Sequence, residues 1–355
     1  MIKKYPHDTS GMIKKVMIAF IIICLLFGTL FIYRIFRDIF GSNVNIQHDN
    51  QGYFYIATGS DISKVVNDLY HSGYIINRSS FEWLAEKKNY PLHIKPGRYK
   101  LKEGMSNNEL INMLRSGDQV PVNLVLNNIR TIQQLASKVS NQIETDSASL
   151  VTLMTNDRFL RQYDLSTYTS LTLVIPDTYQ FWWNTDAKSF IERMYNENQK
   201  FWNEKRVKSL KNCHLTKIEA YILASIVEEE TLKPDERPDI AGVYINRIKK
   251  GIPLQADPTI KYAHHDFEMR RILKTDLDID SPFNTYKYKG LPPGPICIPS
   301  VSSIDAVLNY SKHQYLYFCA KDDFSGYHVF AKTLSQHNQN ARKYQKALDK
   351  RRIWQ

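Results

Sequence analysis

An α+β fold with one N-terminal transmembrane helix is the class that this 355-residue sequence predicts. Three observations predict it. An uncharged apolar run, Val16–Tyr33, stands near the N-terminus. Short strand-like and helix-like segments alternate from residue 51 to 126. Helical periodicity then dominates, with capping boxes opening successive helices. No Gly-x-Gly-x-x-Gly follows a strand, so the alternation is not that of a dinucleotide-binding fold.

The run VMIAFIIICLLFGTLFIY is 18 residues long, the lower end of what spans a bilayer. A cleaved signal peptide would have a shorter apolar core and a small-x-small site; here the run ends in bulky FIYRIF, which favours an uncleaved anchor over residues 16–36. Arg34 and Arg37 lie on its far side, but the 1–15 tail carries Lys3, Lys4, Lys14 and Lys15. The tail is therefore expected in the cytoplasm and the bulk of the chain outside it. Residues 37–50 are expected to be a linker, its Asn43–Gln51 stretch being polar.

Within 51–126, strands are expected at Tyr53–Ala57, Arg98–Leu101 and Val120–Leu126. Helices are expected at Asp61–His71, at Phe81–Lys87, and from the capping box Ser106–Glu109 to Leu114. Residues 127–205 form a connecting helical region opened by Thr131-Ile132-Gln133-Gln134. The aromatic run Leu171–Trp183 interrupts it. That run suits either a sugar-stacking surface or plain core packing of Tyr179, Phe181 and Trp182.

The net charge of +11 suggests a polyanionic partner. Residues 1–15 and 341–355 hold +8 of it, and the rest is close to neutral. No basic stripe interleaved with aromatics crosses the middle of the chain, which argues against nucleic acid. The last fifteen residues read as a basic terminal helix. Cys24 falls in the apolar run, and Cys213, Cys297 and Cys319 have no metal-type spacing, so free thiols and no metal are expected. His264-His265-Asp266 lacks further ligands at zinc spacing and reads as a surface turn. GLPPGP at 290–295 is a rigid turn. There is neither a Gly-x-Ser-x-Gly elbow nor a phosphate-binding loop, and no cofactor is implied.

Thr216-Lys217-Ile218-Glu219 is a capping box that opens a strong helix, KIEAYILASIVEEET, with Glu228, Glu229 and Glu230 near its end and Pro234 soon after. At about 100° per residue, Ile218, Ile222, Leu223, Ile226 and Val227 define an apolar arc. Glu230 falls inside the arc, Glu229 at its edge and Glu228 nearly opposite, toward solvent. Partial burial, neighbouring negative charges and the helix C-terminus should all raise the Glu230 pKa. A carboxyl protonated near neutrality is a general acid.

Several segments resemble the YceG-like endolytic murein transglycosylases. They are PDTYQF (176–181), ASIVEEET (224–231), VYINRIKKGIPLQADPTIKYA (243–263), SPFNTYKYKGLPPGPI (281–296), YLYF (315–318), GYHVF (326–330) and SQHNQ (335–339). The resemblance implies a single-pass membrane enzyme with a small LysM-like module at 51–126. It implies a mostly helical, lysozyme-like catalytic domain at 206–340. Its substrate would be peptidoglycan glycan strands, cut internally to give 1,6-anhydro ends, with peptidoglycan synthases as partners. It maps the catalytic carboxyl onto Glu230. Asn246, Gln255, Asp257, Asn284 and Tyr286 match positions that line the cleft or equally support the fold, and Asp257-Pro258-Thr259 also suits a helix N-cap. Leu171-Thr172 stands where the family usually has Glu-Gly, and Phe283 where Tyr is common. A lysozyme-type hydrolase and a non-enzymatic wall-binding scaffold are the alternatives.

Overall fold

The computed structural model describes residues 9–46 and 51–351. Lys3, Lys4 and Asp8 of the basic tail, residues 47–50 of the expected linker and residues 352–355 of the expected basic terminal helix lie outside them. The described chain is mixed α and β, with strands only in two-stranded antiparallel pairs. It divides into two compact units.

The first unit runs to Pro121 and includes Trp182–Asn184. Helix α1 (Thr9–Phe40) contains the whole apolar run and continues past it. Among the described residues it is the one helix long and apolar enough to cross a membrane. Its 32 residues extend about 48 Å. Strand β1 (Tyr53–Ile56), α2 (Ile62–His71), α3 (Arg78–Lys87), β2 (Gly97–Lys100) and α4 (Asn107–Ser116) follow. Each helix starts where a side chain satisfies its free N–H groups: Asp61 for α2, Asn77 for α3, and Ser106 with Glu109 in a full capping box for α4. Strand β1 pairs with β2, Tyr53 facing Lys100. Val65, Leu69, Phe81, Leu84, Ile111 and Leu114 close the core against Phe54, Ile56 and Tyr99.

The expected linker is not one. Residues 41–46 are built into this unit, because Ser42 bridges Ser106 and Val44 bridges Ile75. Val44 is fully buried in the core. Asn43, also buried, accepts from the Asn77 N–H at 2.6 Å and donates to Asn107 Oδ1 at 2.6 Å. The polar composition that suggested a flexible segment instead supplies buried hydrogen bonds. Asn43→Ala should cost about 2 kcal/mol, since it leaves partners of Asn77 and Asn107 unmet. Urea unfolding of the full chain in detergent, followed by the signal of this unit, measures that loss.

The second unit is Val122–Phe181 with Thr185 onward. Strand β3 (Val122–Leu126) pairs with β4 (Asp177–Phe181), so the strand expected near 120–126 belongs here rather than with the small module. Between them lie α5 (Ile132–Ser140), α6 (Ser147–Met154) and the short α7 (Asp157–Leu160). Only half of the Thr131 box forms: Thr131 caps the Gln134 N–H, but Gln134 Oε1 accepts from Arg130. Tyr179 and Phe181 of the aromatic run are core residues, while Trp182 is half exposed.

Helices α8 (Ala187–Phe201), α9 (Glu204–Cys213), α10 (Lys217–Glu230), α11 (Arg237–Lys249), α12 (Asp257–His264) and α13 (Val301–Leu308) follow. Helix α10 is central: residues 220–227 are buried without a break, sheathed by α9, α11, α12 and α13. Gly294, in the rigid turn, lies so close to Tyr168 that a Cβ there would meet its carbonyl at 2.0 Å. His265 caps α12 in a left-handed conformation at an exposed turn. The chain ends with β5 (Tyr317–Ala320), β6 (His328–Ala331) and α14 (Leu334–Lys350), which starts well before the basic stretch at 341. Described cysteines are all free thiols.

Candidate active site

The site begins at the C-terminal end of α10. Its capping box is complete, with Thr216 and Glu219 exchanging hydrogen bonds, so the helix starts firmly and delivers Glu230 in its last turn. Tyr244 of α11, itself 1 % exposed, donates its hydroxyl to Glu230 Oε1. Arg247, one turn further along α11, is fixed by the carbonyls of Pro253 (2.9 Å) and Leu316 (3.2 Å) and donates to Gln255 Oε1. Gln255 is held in the left-handed region (φ 52°), with its N–H on the Thr285 carbonyl. The next turn presents Asp257, whose Oδ1 accepts from the Tyr286 hydroxyl.

These side chains line one pocket of about 470 Å³. Its other wall is Tyr317, Phe318, Cys319 and His328 of β5 and β6, with His337 of α14. His328 is anchored from behind: its Nδ1–H donates to Glu236 Oε2 at 2.7 Å and its backbone N–H to Glu236 Oε1 at 2.6 Å. Glu236 is 5 % exposed.

Burial pushes the Glu230 carboxyl up from about 4.5 to about 7, and the negative charge of Asp257 adds to it. The Tyr244 hydrogen bond and Lys261 pull the other way. Burial also raises the Tyr286 hydroxyl, as does its bond to Asp257, so Tyr286 remains a donor. The pocket thus holds one acid that is about half protonated at neutrality, one neighbouring carboxylate, and donors from Tyr, Arg and Gln. A second cavity of about 370 Å³ opens at the other end of α10, lined by Tyr163, Asn198, Trp202 and Lys217. The one carboxylate lining it is the exposed Asp164, so it offers no comparable acid.

Residues 54–343 match the family model described as the YceG-like family. The chain belongs to the YceG-like family. It is 30% identical over 310 residues to the endolytic murein transglycosylase of Bacillus subtilis (strain 168), covering 81% of this chain and 83% of that protein. Identity to the endolytic murein transglycosylase of Streptococcus pneumoniae serotype 2 is 29% over 319 residues, and the match spans only 57% of that relative's length. The crystal structure of a yceG-like protein from Listeria monocytogenes superposes with a TM-score of 0.54 at 30% identity, covering 81% of this chain and 97% of the other.

Of the residues expected at the site of this YceG-like chain, Glu230, Gln255, Asp257 and Tyr286 share the pocket. Two do not line it. Asn246 turns its amide to the carbonyls of His313 (2.9 Å) and Tyr315 (3.0 Å), tying that segment to α11. Asn284 is fully buried and staples its own loop, donating to the Leu277 and Ile279 carbonyls and accepting from the N–H groups of Tyr286 and Lys287. Its effect on the pocket is to place Tyr286. Nor is Asp257 an N-cap: that position is Ala256, and Asp257 occupies the first helical turn.

Glu228 is only partly exposed, its carboxylate turned to partners within the fold rather than to solvent. It accepts from the Ser300 N–H (3.1 Å) and the Ser303 hydroxyl (2.6 Å), and pairs with Arg237 at 3.3 Å. Glu229 pairs with Arg130 at 3.0 Å. Because residues 220–227 of α10 are buried without a break, the side opposite the apolar arc is covered too, by α13 and the segment before it. The like charge acting on Glu230 accordingly comes from Asp257, not from its sequence neighbours. Leu171 and Thr172 are buried in a 3₁₀ turn, where their carbonyls accept from Tyr221 and Asn198. Neither lines the Glu230 pocket. Tyr244, Arg247, Glu236 and His328 were not singled out by sequence, although Tyr244, Arg247 and His328 stand inside the matching motifs.

Proposed function

We propose that this chain is a membrane-anchored endolytic transglycosylase that cleaves the bond between N-acetylmuramic acid and N-acetylglucosamine within nascent peptidoglycan strands. Glu230 is its acid. The observation that carries this reading is a partly buried carboxyl whose pKa is pushed up to about 7, on the wall of a pocket rich in hydrogen-bond donors.

Protonated Glu230 gives its proton to the glycosidic oxygen as the bond to C1 of the muramic residue breaks. Positive charge develops at C1, and the neighbouring Asp257 carboxylate stabilises it. Glu230, now an anion accepting from Tyr244, takes the proton of the C6 hydroxyl of the same sugar. That oxygen closes on C1 and forms the 1,6-anhydro ring. The nucleophile is intramolecular, so no base for water is needed. Gln255, Asp257 and Tyr286 bind and orient the sugars, and Asn284 positions Tyr286.

In this reading α1 places the N-terminus in the cytoplasm, and the rest of the first unit and the whole second unit outside it. The first unit serves as a LysM-like wall-binding module, and the helical second unit works as a lysozyme-like catalytic domain. Cleavage of strands still being made would terminate their polymerisation, with peptidoglycan synthases as neighbours. The catalytic region carries little net charge, so specificity rests on cleft shape and hydrogen bonds.

A second reading has one specific observation behind it. Asp257 shares the pocket with Glu230, and a pair of carboxylates is what a hydrolase of the lysozyme type uses. Product mass separates the two. The full chain acting on polymerised glycan strands should release ends lacking one water relative to a hydrolysed strand. Finding only reducing ends would replace the lytic reaction with hydrolysis.

A further inference from the structure

The end of α1 is not a free tether. Between Met12 and Phe40, only Ile35, Asp38 and Ile39 are partly covered, and their spacing of three and four places them on one helical face. Ile39 packs on the core of the first unit, and the Asp38 carbonyl accepts from Asn107 at 2.8 Å. The chain then bends at Gly41, whose N–H still donates to the Arg37 carbonyl at 2.8 Å, and enters the bridges at Ser42 and Val44. The depth at which α1 leaves a bilayer therefore fixes the depth of the unit attached to it. This step rests on α1 being the membrane anchor proposed above.

If the hydrocarbon core ends at Tyr33, Arg34 to Asp38 rise from about 1.5 to about 7.5 Å beyond it. The headgroup layer is roughly 5–7 Å thick. A cleft of about 320 Å³ lies at that level, between Phe31, Arg34, Ile35 and Asp38 of α1 and Ser79 and Trp83 of α3. Arg34 and Arg37 share the one carboxylate of Asp38, at 3.9 and 3.7 Å, which leaves a net positive charge beside the cleft. Next to it two large apolar side chains stand in the open, Ile76 at 62 % and Trp83 at 40 % exposure.

We propose that this cleft takes the headgroup of an anionic, hydroxyl-bearing phospholipid of the phosphatidylglycerol type, and that the first unit rests on the leaflet through this face. The phosphate meets Arg34, with Arg37 beside it. The headgroup hydroxyls donate to Asp38, which a second anion would not satisfy. Ile76 and Trp83 enter the boundary with the acyl chains, the depth at which indoles concentrate.

The test uses the full chain in vesicles of phosphatidylcholine, with and without phosphatidylglycerol, containing lipids brominated high on the acyl chain. Wild-type tryptophan fluorescence should show a quenched component that Trp83→Phe lacks. Arg34→Gln should lower retention of phosphatidylglycerol about fivefold and leave phosphatidylcholine unchanged. Equal quenching in wild type and Trp83→Phe, or equal retention of the two lipids, overturns the proposal. Alkaline extraction is run in parallel. Release of the chain would overturn the anchor itself, whereas a retained chain with unquenched Trp83 overturns only the lipid site.

Discussion

Glu230→Gln should lower glycan cleavage about a thousandfold, because the amide keeps the shape and the Tyr244 contact but has no proton to give. The wild-type pH profile carries the same signature. An acid held at about 7 is fully protonated below that pH, so kcat/KM should be flat on the acid side and fall as pH rises through 7. A second measurement is independent of turnover. The folded-state pKa is raised from about 4.5 to about 7, so the folded chain binds this proton more tightly than the unfolded one. The stability it contributes is complete below pH 4.5 and is lost as pH rises to 7. Glu230→Gln escapes that loss. Between those limits the wild type should weaken relative to the variant by roughly 2–3 kcal/mol, read from urea midpoints at each pH. A wild-type pH profile without a limb near 7, or parallel stability curves, would mean that Glu230 ionises as an ordinary surface carboxylate.

The same residue shows how far sequence could reach. Helical phase and the capping signal were enough to start α10 at Lys217, to carry it through Glu230 and to turn that side chain toward a packed surface. They misplaced Glu228, because phase assigns a face to solvent only when the helix has one. Nothing local in KIEAYILASIVEEE says that α13 closes over the far side; that is decided by residues some seventy positions downstream, Ser300 and Ser303, which take up the Glu228 carboxylate. Tyr244 was unreadable for a related reason. In VYINRIKK it is one aromatic among apolar neighbours, and only the crossing of α10 and α11 brings its hydroxyl to Glu230. Asn246 and Asn284 have the residue type of sugar-binding amides, yet buried backbone carbonyls claimed them first. The linker failed in the opposite direction: asparagine looks like loop chemistry until its amide is counted as a partner for buried backbone, as with Asn43 and Asn77.

Asp257→Asn is the substitution on which the lytic and hydrolytic mechanisms part. Asp257 adds to the rise of the Glu230 pKa, so removing its charge should move the alkaline limb of the activity profile to lower pH. In the lytic mechanism the carboxylate only stabilises charge at C1, and the C6 hydroxyl still attacks. The rate on the acid plateau should then fall by about ten- to a hundredfold, with every product still lacking one water. In the hydrolytic mechanism Asp257 would have to activate water or form the glycosyl–enzyme bond. The variant would then be as inactive as Glu230→Gln, and wild-type products would carry the water. Tyr286→Phe is the control for geometry, since it removes the hydrogen bond that orients Asp257 and keeps the charge. It should therefore slow cleavage without moving the limb downward. A limb that stays in place in Asp257→Asn as well would show that the two carboxyls do not sense one another, and would leave Glu230 dependent on burial alone.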